Sequence, residues 1–227
     1  MRTSNAHALR ALSERLSQQS FAREHVTRLA TAAQALGDIV GAHALGESAA
    51  ARARRVAAAS ERFEALLAKA DRELSTQEAG GLAQLNMERQ ERLGLAQDQF
   101  AADIVRAFGK ADQKGRAELL QRITDEGDGR SLAALLAAPE FLTGIDRPTL
   151  FNWIDRAELK HAPDLHTRRQ RFAEDVDAAR TAVGAAKRLL EEAKHDADSR
   201  QAEARKATEA ERSVLAAENA LAAAAAE

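Results

Sequence analysis

From Asp164 to Glu227 the chain runs without a proline and with a single glycine, Gly184. Proline and glycine are the residues that interrupt helices, and the alanine, glutamate, arginine, lysine and leucine that fill this stretch favour them. The run predicts one continuous helix, about 95 Å long at 1.5 Å per residue. Phe172, Val176, Ala179, Val183, Ala186 and Leu190, followed by Ala193 and Ala197, alternate four- and three-residue steps in the manner of a heptad seam. So narrow a stripe cannot stabilise so long a helix alone. It calls for the N-terminal part of the chain, a second copy or another protein. Phe172 to Leu190 are therefore the candidate self-association seam.

The punctuation that the C-terminal run lacks is concentrated just before it. Pro139, Pro148, Pro163 and the only tryptophan, Trp153, all lie between Ser131 and His166. Ser131 can cap a short helix, Leu132 to Ala138, which Pro139 ends because the residue before a proline avoids helical backbone. Asp146 and Pro148 open a second short helix that closes near His161. This reads as a small helical elbow over residues 129–163. Phe141, Phe151, Trp153 and Ile154 are its candidate docking residues, since aromatic side chains concentrate at binding hot spots. The alternative is that they form the elbow's own core.

Residues 1–128 read as an N-terminal helical arm. Thr3, Ser4 or Asn5 can cap its first helix. Val56, Phe63, Leu66 or Leu67, Ala70 and Leu74 form a second heptad-like seam. The segment Thr76 to Gly81 is the strongest turn signal of this half, because paired glycines supply the backbone freedom that ends a helix. It predicts a hairpin tip near Gly80 and Gly81, with a return helix from Leu82 through Phe108. A ridge of small side chains, including Ala33, Gly37, Gly41 and Ala44, steps by threes and fours, with a bend expected near Gly46 to Ser48. Such a ridge admits a close helix partner in water, or in a bilayer, although alanine and glycine make it only weakly hydrophobic. The fold expected is all-α. Long antiparallel helical arms, 1–128 and 164–227, are joined by the proline- and aromatic-containing elbow.

Chemistry is harder to find. Cysteine is absent, which removes disulfides and thiolate sites. The acidic run Asp125 to Arg130 lacks calcium-loop spacing, with Gly127 and Gly129 where oxygen ligands belong. No glycine-rich phosphate loop or paired-histidine zinc motif occurs. The expectation is a non-enzyme with no catalytic residue, metal or cofactor. Basic residues number 33 against 35 acidic, a net charge of −2, which argues against a generic nucleic-acid binder. Two local basic clusters, Arg52, Arg54 and Arg55, then Arg168, Arg169 and Arg171, are either solvated faces or phosphate contacts. The N-terminus has no apolar core of a signal peptide, and no run is apolar enough to span a bilayer.

Leu135-Leu136-Ala137-Ala138-Pro139-Glu140-Phe141-Leu142-Thr143-Gly144-Ile145, a short helix, Ala162-Pro163-Asp164-Leu165 and the coil that follows resemble small helical coiled-coil proteins encoded in tailed-phage structural gene clusters. The resemblance lies within residues 131–166 and implies a virion or assembly protein. Such a protein would be cytoplasmic before assembly and part of the virion after it, with itself or other structural proteins as partners. Two alternatives stand beside this: an ejection-type protein engaging membrane or DNA through the ridge and the arginine clusters, and a cellular adaptor docking a partner through the aromatic elbow.

Overall fold

The computed structural model describes residues 2–42, 45–96 and 99–224, with side chains described between Ala6 and Glu218. Among the described residues there is no strand. The helices are α1 (Arg2–Arg15), α2 (Arg23–Gly41), α3 (Ala49–Arg92), α4 (Ala101–Lys110), α5 (Gln113–Glu126), α6 (Gly129–Ala137), α7 (Glu140–Thr143), α8 (Arg147–His161) and α9 (Pro163–Ala224). The fold is all-α, and its two longest helices, α3 and α9, pack antiparallel. Because α1 already begins at Arg2, Thr3 to Asn5 lie inside its first turn rather than ahead of it.

Two compact units divide the chain: residues 1–76 with 175–227, and residues 77–174. The expected boundaries at 128/129 and 163/164 are thus corrected. The elbow folds together with the end of α3 and the start of α9, because Leu93 and Leu165 share a core with Leu132, Leu135, Leu150 and Ile154. Burial of apolar surface, rather than proline content, sets the boundary.

In the first unit, α1 and α2 form a hairpin whose connection is held by Arg23, which donates to the Leu16 carbonyl at 3.1 Å. Leu9, Val26, Leu29, Leu36 and Val40 from this hairpin meet Val56, Phe63, Leu67 and Leu74 of α3 and Val183, Ala186 and Leu190 of α9 in one core. Two exposed ion pairs mark the α3–α9 register, Asp71 with Lys187 and Glu64 with Lys194, each 2.9 Å. One number falls as the other rises, as antiparallel helices require.

In the second unit, three of the short helices, α5, α6 and α8, start on an aspartate cap. Asp112 accepts from the Gly115 amide, Asp128 from Ser131 and Asp146 from Thr149. Each satisfies one of the amides that a helix start leaves without an internal partner. Asp128, not Ser131, is therefore the cap of α6. Ser131 instead donates its own hydroxyl to the Asp128 carboxylate at 2.6 Å. Gly127 and Gly144 end α5 and α7 in the left-handed region, at φ 71° and 66°.

The hairpin tip expected at Gly80–Gly81 does not form. Helix α3 passes straight through both residues, the return helix Leu82–Phe108 does not exist, and the turn comes after Arg92, with Gly94 at φ 62°. The reason is a packing contact. A Cβ on Gly81 would lie 2.5 Å from the Phe172 ring, so the missing side chain makes room for that ring. Gly80 has nothing within 4 Å of the same position. Gly80→Ala is thus expected to stabilise the helix by up to about 1 kcal/mol, the propensity difference. Gly81→Ala must displace Phe172 and will lose that gain. Thermal melts of the two variants read the contrast directly, and equal shifts would contradict it.

Candidate interaction surfaces

The self-association seam is filled from within the chain. Val176, Ala179, Val183, Ala186 and Leu190 are buried in the core of the first unit, and Phe172 is half-buried against Gly81 in the second. The N-terminal helices supply a matching apolar stripe at the high effective concentration of a tethered partner. A second copy therefore cannot use this seam while the fold is intact.

The small-residue ridge is also corrected. Helix α2 ends at Gly41 and α3 begins at Ala49, so the ridge is not on one helix. Ala33 is in the core, whereas Gly37 and Gly41 have open space where a Cβ would lie. Ala44 lies outside the described residues. What ends α2 is the first basic cluster. Arg52 donates to the Val40 carbonyl at 2.8 Å, and Arg55 to that of Ala42 at 3.1 Å while gripping Glu47 with two hydrogen bonds. Cations satisfy the carbonyls that a helix C-terminus leaves exposed. In the second cluster, Arg168 pairs with Glu88, and Arg169 hydrogen-bonds Asn86 at 2.8 Å. Much of both clusters is thus engaged within the chain, which weakens their reading as phosphate contacts.

The docking residues separate. Ile154 is core, and Trp153 packs against that core with Arg156 stacked 4.6 Å over its ring. Phe151 is partly exposed on α8. Phe141 is 84% exposed and lines an apolar groove of about 640 Å³ in the second unit, between α4, α6 and α7. Val105 and Gly109 form one wall, Ala134 and Ala138 another. Gly109 is required there: a Cβ on it would lie 2.7 Å from the Leu142 carbonyl oxygen.

Elsewhere in the second unit the sequence hid a buried charge. Glu158 is 1% exposed, with Arg89 Nε 2.6 Å from one carboxylate oxygen and Arg169 Nε 3.3 Å and His166 Nδ1 3.6 Å from the other. Neither oxygen has an aligned hydrogen-bond donor among the described residues, so Glu158 acts by charge attraction, in addition to the apolar core that α8 shares with Leu93 and Leu165. The signal was available. Leu150, Ile154 and Glu158 are spaced by four residues, which places the glutamate on the buried face of α8.

A second clasp is exposed. Arg92 donates two hydrogen bonds to Asp164, at 2.5 and 2.8 Å. The Arg92 guanidinium lowers the Asp164 pKa from 3.8 to about 2. A carboxylate depressed in the folded state contributes stability above its unfolded pKa, near 3.8, and loses it as pH falls through about 2. The melting temperature is expected to fall across that window in the natural chain, and Asp164→Asn should flatten the fall. An unchanged profile in the variant would show that this pair does not contribute.

The last surface is the far end of α9. The two α3–α9 bridges advance by seven residues on each helix, so Ala49, the first residue of α3, comes level with Glu209. Every residue from Arg205 to Glu218 is exposed, including Val214 at 57% and Leu215 at 59%. Among the described residues no three His, Asp or Glu side chains are grouped to hold a metal, and no helix is long and apolar enough to cross a membrane. No protein-family model, curated protein or solved structure matches this chain.

Proposed function

We propose that this protein is a non-enzymatic structural or assembly protein that works by associating with copies of itself, in the virion or scaffolding role its elbow resemblance implies. The observation that carries the reading is the end of α9. A helix that buries its seam as far as Ala197 continues to Ala224 with no part of α3 beside it beyond about Glu209. Long helices in globular proteins draw most of their stability from packing, and an intermolecular partner supplies it here. Light scattering after size exclusion tests this. A mass that rises above the 24.5 kDa of one chain with concentration supports it. A single-chain mass at every concentration overturns it.

A second reading, the helical adaptor, is favoured by one observation, the groove beside Phe141. An amphipathic helix of another protein is the natural occupant of an apolar groove lined by small residues with an aromatic at its edge. Phe141→Asp would abolish such an interaction and leave the mass of the protein alone unchanged.

A further inference from the structure

We propose that the end of α9 joins two copies of this chain as a parallel, in-register, two-stranded coil starting at Ala207. This rests on the self-association reading above and adds to it the surface, the orientation and the register.

Ala207, Ala210, Val214 and Ala217 are exposed on α9, and Leu221 and Ala224 extend the same alternation of three- and four-residue steps. The series shares Ala207, Val214 and Leu221 with the continuation of the seam buried upstream, but the alternate positions of that continuation are Glu211 and Glu218, in whose place Ala210, Ala217 and Ala224 complete an apolar stripe. A stripe of this kind says where a partner helix lies, and the flanking charges say which partner and which way round. Glu211 has Ala207, Thr208, Val214 and Leu215 three and four residues away, and Glu218 has Val214, Leu215, Leu221 and Ala222. Neither has a cation at the spacings that pair charges along one helix. Both sit on one edge of the stripe, and Lys206 sits on the other, five residues before Glu211. In a parallel pair that spacing brings Lys206 of one copy to Glu211 of the other, twice by symmetry. In an antiparallel pair the glutamate edges of the two copies would face each other, which like charges oppose. Charge complementarity therefore selects a second copy in parallel. Val214 at the central position also suits two strands rather than more.

The absence of cysteine gives a direct test. Three full-length single-cysteine variants, A207C, L221C and R212C, are oxidised mildly and run without reductant, beside light scattering of the natural chain. The expected result is a disulfide-linked dimer from both A207C and L221C and little from R212C, which lies on the opposite side of the helix. K206E should reduce the A207C crosslink several-fold, and adding E211K should restore it. If the natural chain self-associates but A207C and L221C crosslink only with each other, or no better than R212C, the parallel coil is overturned and the self-association reading survives. If the chain stays monomeric and no variant crosslinks, both fall.

Discussion

Glu158→Ala will destabilise the second unit by about 3–5 kcal/mol, the usual effect of removing one partner from a buried ion pair. The carboxylate is 1% exposed and is the shared anion for Arg89, Arg169 and His166. Its removal leaves the Arg89 guanidinium, itself nearly buried, with Asp155 at the rim as its remaining acidic partner. Glu158→Gln keeps the shape but not the charge and should lose nearly as much. The informative comparison is Glu158→Leu combined with Arg89→Met. Replacing both charges with apolar groups removes the desolvation penalty together with the attraction, so the double variant should recover most of the loss. Urea unfolding followed by circular dichroism and by Trp153 fluorescence measures all three. A double variant as unstable as the single one would show that the cluster does more than hold α8 in place.

Gly129→Ala will have a comparable effect for a different reason. A Cβ on Gly129 would lie 1.6 Å from the Leu93 carbonyl oxygen and within 3 Å of two backbone carbons. These are main-chain atoms of the turn that ends α3, and they cannot swing aside as a side chain would. Relief requires α6 to move away from the α3 terminus, opening the core that contains Leu93, Leu132 and Leu135. Overpacking usually costs about 1–3 kcal/mol, and a clash with backbone belongs at or above the top of that range. Gly80→Ala, with open space around it, is the matched control and should show no loss. If Gly129→Ala melts with the natural chain, the close approach of α6 to Leu93 is wrong.

Much of the local structure was legible in order along the chain. The heptad steps from Phe172 to Ala197, the proline stop after Ala138, the Asp146–Pro148 start and the Pro163 start all correspond to observed helix features. They are local properties of backbone and spacing, so a sequence displays them. The buried Glu158 was half-legible, through its spacing from Leu150 and Ile154, but its cations come from Arg89 and Arg169, far away in the chain. The groove at Phe141 was legible only as an aromatic in an alanine-rich context.

The sequence by itself determined that this chain is helical, where most of its short helices stop and start, and that α9 is long. Only the tertiary structure decided what each stripe and each glycine is for. Paired glycines signal a turn when nothing packs on them, yet the Phe172 ring occupies the space beside Gly81 and the helix continues. A heptad seam asks for a partner without naming one, and the chain's own N-terminal helices, tethered and therefore concentrated, fill it first. A periodic pattern specifies a face, whereas the identity of what covers that face depends on which apolar surfaces can be buried together at least loss of chain entropy.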